Sequence, residues 1–181
     1  MTQTPINHIN QMNQRSQMNQ SSQDLLSPAI RKHLDQWNLR YPSDQKRSGV
    51  FEALRVVQEA NQGSLTPQLM DAVADYLGMP KIAVYEVATF YSLYNLHPVG
   101  HHVIDVCTNI SCSLNGSEKI VQHLKQRLGI DFNQTTSDGR FTLREVECLG
   151  ACVAPPVCQI GHDYHENLST EKMDEILTAL K

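Results

Sequence analysis

Four of the five cysteines fall into two pairs of fixed spacing, and no other feature restricts the possible folds as much. Cys107 and Cys112 enclose four residues in CTNISC, Cys148 and Cys152 enclose three in CLGAC, and thirty-five residues separate the pairs. Each pair directly follows a segment that reads as a β-strand. His102-Val103-Ile104-Asp105-Val106 leads into the first pair, and the alternating Phe141-Thr142-Leu143-Arg144-Glu145-Val146 leads into the second. If those strands are neighbours, both loops leave the sheet at the same edge and four thiols converge.

Several chemistries compete for such a point. Disulfides suit exported proteins, but no secretory signal is visible and five is an odd count. A thioredoxin-type dithiol uses C-x-x-C, which is absent. Structural zinc commonly takes C-x2-C knuckles, although looser spacings also serve. A two-iron cluster needs four sulfurs around a larger core, and the wider loops suit it. Neither the plant-type C-x4-C-x2-C run nor a Rieske C-x-H pair is present. Spacing therefore favours an iron–sulfur site and leaves zinc or a purely structural role open. Thr108, Asn109, Ser111 and the loop amides are candidate donors to the sulfurs. Gly150 permits close backbone approach, and Pro155-Pro156 stiffen the chain after the last thiol. Cys158, within VCQI, reads as a small buried hydrophobe. His162 and His165 read as solvated turn residues.

Ahead of these pairs the pattern is helical. Ser27-Pro28 and Thr66-Pro67 are N-cap and first-turn signals. Ser43 is a candidate cap for the helix carrying Val50, Leu54, Val57 and Ala60. Leu69, Val73 and Leu77 form a stripe that ends at Gly78. Pro80 opens a further helix with Ile82, Tyr85, Thr89 and Leu93 on one side. Its aromatics, Tyr85, Phe90, Tyr91 and Tyr94, read as core or as an interface face. After Pro98-Val99-Gly100 the order becomes β-α-β-β-β-α, with Asn115 and Glu118 fitting a helix cap. Residues 1–23 hold ten Gln or Asn and no acid, which predicts a flexible extension. The expected divisions are thus 1–23, a helical docking domain over 24–100, and a metal-binding α/β domain over 101–181. That makes the chain α+β in two parts.

The net charge of −4 argues against a nucleic-acid partner, and no apolar run is long enough to span a bilayer. The nine glycines are never closer than ten positions apart, so no glycine-rich phosphate cradle exists here. If the protein works with a nucleotide, the usual glycine-rich cradle must lie on another chain.

RYPSDQKRSGVFEALRVVQEANQG, LMDAVADYLGMP, VYEVATFYSLYNLHPVG, CTNISC, TTSDGRFTL and VECLGACVAPPV together resemble the E-subunit family of bacterial NADH:quinone oxidoreductase (respiratory complex I). The resemblance covers roughly residues 38–181. It implies a thioredoxin-like domain holding one [2Fe–2S] cluster on Cys107, Cys112, Cys148 and Cys152. It implies a flavoprotein partner carrying FMN and the NADH site, and a further iron–sulfur subunit of the peripheral arm. The absence of export, span and clear transit signals in the sequence gives the expectation of a cytoplasmic location, peripheral to the inner membrane through partners. This chain would then be an electron-transfer subunit of an oxidoreductase, with no complete active site of its own. Asn133-Gln134 stand where a Gly-Glu pair is expected, and Cys158 stands where the family often has an apolar residue. The alternatives are a diaphorase subunit of an NAD-linked hydrogenase or formate dehydrogenase, a structural zinc-binding interaction module, and a free-standing ferredoxin.

Overall fold

A computed structural model describes residues 25–180. The extension expected over 1–23 lies outside the described residues. The chain divides at Pro98–Val99 into two compact units, and each unit has its own apolar core.

The first unit is helical. It contains α1 (Pro28–Asn38), a 3-10 turn (Lys46–Gly49), α2 (Val50–Ala60), α3 (Pro67–Leu77) and α4 (Lys81–Phe90). Two starts follow the expected capping chemistry. Ser27 Oγ accepts from the Ile30 amide at 3.3 Å, and Thr66 Oγ1 accepts from the Leu69 amide at 3.3 Å, each with proline opening the helix. Gly78, at φ 66°, closes α3. Leu34, Leu54, Val57, Val73 and Val84 are fully buried between the helices.

Two expectations fail here. Ser43 does not cap α2; the 3-10 turn intervenes, and Gly49 precedes Val50 without a side-chain cap. Its tighter bonds, such as Ser48 N to Gln45 O, absorb the amides a cap would otherwise satisfy. In α4 the buried residues are Val84 and Ala88, while Ile82 is exposed; the helix ends at Phe90, so Leu93, also exposed, lies beyond it. KIAVYEVATF is apolar nearly all round, so its periodicity carries little information about which face turns inward. Among the aromatics, Tyr94 is core and donates to the Phe51 carbonyl at 3.0 Å, whereas Phe90 is 80% exposed.

Glu52 is a buried carboxylate in this unit, with 6% of its side chain exposed. The Arg55 guanidinium grips it at 2.7 and 2.9 Å, and His33 Nε2 lies 2.6 Å away. Arg55, with help from His33 and against the cost of burial, holds the Glu52 carboxyl below its ordinary value near 4.5. A carboxyl depressed on folding stabilises the native state above the unfolded-state value, and that contribution disappears as pH falls through the folded value. The urea midpoint of this unit should therefore fall as pH drops below about 4.5, and Glu52→Gln should flatten that limb. An unchanged acid limb in Glu52→Gln would count against this role.

The second unit is a mixed sheet with helices. It contains β1 (His102–Cys107), α5 (Ile110–Leu114), α6 (Ser117–Leu128), β2 (Gln134–Thr135), β3 (Phe141–Val146), β4 (Cys158–Ile160), β5 (Asp163–His165) and α7 (Thr170–Ala179). The strand order is β2-β3-β1-β4-β5. β1 and β3 run parallel, and the other neighbours are antiparallel. Ile104, Val106, Leu143, Cys158 and Ile160 pack with Ile120 and Leu124 of α6 and with Met173 and Leu177 of α7. The alternation of β1 places Asp105 on the opposite face, where it pairs with Arg144 of β3 at 2.6 and 2.7 Å.

The expected β-α-β-β-β-α order gains the short strand β2 and the one-turn helix α5. Neither is long enough to show periodicity. Asn115 does not cap α6. It ends α5, its side-chain amide donating to the Ser111 carbonyl at 2.7 Å, and Gly116 precedes Ser117. Asn133 adopts φ 61°, a conformation asparagine tolerates better than most residues, and its amide donates to the Leu143 carbonyl. Gly100 lies against β3 so closely that an added Cβ would sit 2.8–2.9 Å from the Phe141 backbone. Only glycine fits that approach without displacing the strand. Among the described residues, no helix is long and apolar enough to cross a membrane.

Candidate metal centre

The parallel pairing of β1 and β3 creates the site. Cys107 is in register with Val146, so both strands end at one edge of the sheet. The Thr108 amide continues the ladder to the Val146 carbonyl, and the Cys107 amide donates to the Val157 carbonyl. The loops carrying the two cysteine pairs therefore start from adjacent strands. The condition on which convergence depended, that these strands be neighbours, is met.

All four residues carry free thiols. Cys107 and Cys112 are each 2% exposed and pack with Val157, Leu149 and Ala151. Cys148 and Cys152 are exposed. The four thiols influence one another: Cys107 and Cys152 both act on Cys112, and Cys148 and Cys107 both act on Cys152. Among the described residues, no group of three or more His, Cys, Asp or Glu side chains is gathered closely enough to hold a metal ion.

Cys112 is carried on α5, a helix that the sequence pattern did not reveal. The Asn109 carboxamide oxygen accepts from the Ile110 amide at 2.8 Å and starts that turn. An asparagine directly before the turn was the available signal. Asn109 was expected beside the sulfurs, but its oxygen is occupied by this cap. Thr108 Oγ1 donates instead to Glu145 at 2.9 Å, and Ser111 Oγ to the Cys152 carbonyl at 3.5 Å. Short polar side chains readily bond nearby backbone, which diverts them from the sulfurs. The backbone reaches the sulfurs instead. The Gly150 amide donates to Cys148 Sγ at 3.3 Å, with Gly150 at φ 75°, a turn glycine adopts at least cost.

Burial pushes the Cys112 thiol up to about 11, with Cys107 adding to the rise and the Val157 backbone opposing it. The hydrogen bond from its neighbour Cys148 raises Cys152. A metal that binds thiolates must therefore displace protons as it loads. Cys158 is fully buried, its thiol 3.9 Å from Met173 Sδ, and burial pushes it up to about 12. It lies in the sheet core, as its apolar sequence context indicated. Ile110 and Leu114 on α5, and Val153 directly after Cys152, are exposed. A cleft of about 830 Å³, lined by Arg127, Thr135, Arg140 and Phe141 among others, sits where β3 begins. It is therefore at the strand end opposite the thiols.

Comparison with known proteins agrees with this geometry. Residues 34–181 match the family model described as thioredoxin-like [2Fe-2S] ferredoxin. The chain is 46% identical over 142 residues to the NADH-quinone oxidoreductase E-subunit of Rickettsia bellii, covering 78% of this chain and 85% of that protein. It is 41% identical over 152 residues to an NADH-quinone oxidoreductase E-subunit of Rhizobium meliloti, covering 84% and 89%. In fold it resembles a chain of an NAD+-reducing [NiFe]-hydrogenase, with a TM-score of 0.63 at 19% identity. That match covers 73% of this chain and 22% of the hydrogenase chain. Free thiols at the shared edge of two parallel strands, a match to the family model over most of the length, and relatives above 40% identity lead to one conclusion: the chain belongs to the thioredoxin-like [2Fe–2S] ferredoxin family.

Proposed function

We propose that Cys107, Cys112, Cys148 and Cys152 hold the [2Fe–2S] cluster of this family, and that the chain is the electron-transfer subunit of an NADH-oxidising module in a respiratory NADH:quinone oxidoreductase. The observation carrying the ligand assignment is the convergence of the two cysteine loops at one sheet edge. The donor set fits the group: four free thiols in two sequence pairs, each pair on a loop leaving one of two adjacent strands. One couple for each iron suits a two-metal core, whereas a lone zinc needs four donors around a single point.

When bound, the cluster supplies reversible one-electron exchange. The residues of this chain supply everything around it. Four thiolates fix the metals, and the Gly150 amide offsets negative charge on Cys148 Sγ, which favours the reduced form. Val157 and Leu149 keep water from the Cys107–Cys112 side. Cys148, Cys152 and Val153 leave the other side open to a partner.

The names of the relatives favour the respiratory complex. The likeness to the hydrogenase, at 19% identity, carries the fold alone. In this reading FMN and NADH lie on a partner flavoprotein, consistent with the spacing of the glycines here. A further iron–sulfur subunit accepts electrons onward, and attachment to the inner membrane, on its cytoplasmic side, is through partners. The helical unit is the docking domain. Its exposed Phe90 meets Tyr91 edge-on at 5.0 Å, and Tyr91 meets Phe51 at 4.8 Å, an aromatic surface of the kind that interfaces use.

The deciding experiment is iron and sulfide analysis with EPR on the full chain, purified anaerobically and reduced with dithionite. Two irons and two sulfides per chain with a reduced two-iron signal are expected. A colourless protein holding one zinc would end this reading.

A further inference from the structure

The two thiol couples are chemically alike and differ sharply in access. Cys107 and Cys112 share one buried cluster, and Cys148 and Cys152 are carried on one exposed loop with three residues between them. Cys107 and Cys112 are 2% exposed behind Val157, whereas Cys148 and Cys152 both face solvent. Their loop is short and Gly150 forms its turn. Val153 beside it is 95% exposed. Thiol–disulfide exchange requires an attacking sulfur to meet the oxidant along an open path, so access decides which couple reacts.

We propose that, before the cluster is loaded, Cys148 and Cys152 act as a dithiol that closes to a disulfide ahead of Cys107 and Cys112, and that this closure blocks loading. The oxidant is a small disulfide of the glutathione type. One cysteine thiolate attacks it, forming a mixed disulfide and releasing one thiol. The second cysteine then attacks the protein-side sulfur, forming the Cys148–Cys152 bond and releasing the second thiol. Two protein thiols lose two electrons and two protons, and one small disulfide becomes two small thiols. Reduction by a dithiol reverses the change. The block on loading rests on the ligand assignment above; the order of oxidation does not.

The test uses the full-length chain, stripped of metal under reducing conditions and then titrated with glutathione disulfide. Alkylation and peptide mass mapping follow each addition. The first disulfide should join Cys148 to Cys152, with the loss of two hydrogens and two alkylatable thiols, while Cys107 and Cys112 remain free. Cys158 is an internal control and should resist alkylation throughout. A first disulfide containing Cys107 or Cys112 overturns the proposal. So does rapid alkylation of Cys158, because the burial that orders the couples would then be lacking. Oxidised chain should take up no visible chromophore from iron and sulfide, and dithiothreitol should restore uptake. Full uptake by chain carrying a mapped Cys148–Cys152 disulfide would overturn the block and the ligand assignment together, leaving the oxidation order intact.

Discussion

Cys148→Ser is expected to abolish most of the reduced two-iron EPR signal while leaving the fold nearly unchanged. Cys148 is exposed, so exchanging its sulfur for oxygen removes little buried surface and opens no cavity. Its Sγ accepts the 3.3 Å bond from the Gly150 amide, and a hydroxyl oxygen can accept that bond too. A serine hydroxyl is a harder and far less acidic donor than a thiol, so it replaces an iron-bound thiolate poorly. Loss of signal with an unchanged circular dichroism spectrum therefore identifies a ligand. Cys158→Ser provides the contrast. Its hydroxyl would be buried beside Met173, costing about 1–3 kcal/mol of stability while leaving the cluster spectrum intact. A wild-type signal from Cys148→Ser, or a lost signal from well-folded Cys158→Ser, would show that the wrong thiols had been assigned.

Leu143→Ala should produce the largest loss of stability in the second unit. Leu143 is fully buried at the centre of β3, paired with Ile104 of β1, and faces α6 and α7. Removing its side chain forfeits burial and leaves a cavity that a rigid sheet closes only in part, so about 2–5 kcal/mol is expected. Small domains are stable by only about 5–15 kcal/mol, so this is a large share. The effect should extend to the site. β1 and β3 set the positions of both cysteine loops, and loosening their pairing should lower cluster occupancy. Urea unfolding followed by circular dichroism, with iron content measured on the same samples, checks both parts. A loss below about 1 kcal/mol with full occupancy would mean that the pairing of these strands does not position the thiols.

Much of this was written locally. Ser27-Pro28 and Thr66-Pro67 fixed helix starts because a cap and a proline act on the adjoining turn alone. The alternation in β1 and β3 was equally local, and so was the burial of Cys158 among apolar neighbours. What could not be read depended on competition between contacts. Nothing in KIAVYEVATF distinguishes Val84 from Ile82; packing against the other helices selects the inward face. Asn109 and Asn115 are plausible sulfur donors or caps in several places, and the one-turn helix between them decides where each is used.

The amino-acid order by itself determined the donor chemistry: two cysteine pairs, each placed immediately after a strand, in a chain lacking a glycine-rich nucleotide cradle. Spacing along a chain fixes which groups are available and how far apart neighbours can lie. It does not fix which strands pair, because pairing is selected by the burial of a shared face and involves residues far apart in sequence. Only the tertiary structure decided that β1 lies parallel to β3, and that one cysteine pair is walled in by Val157 while the other is open to solvent.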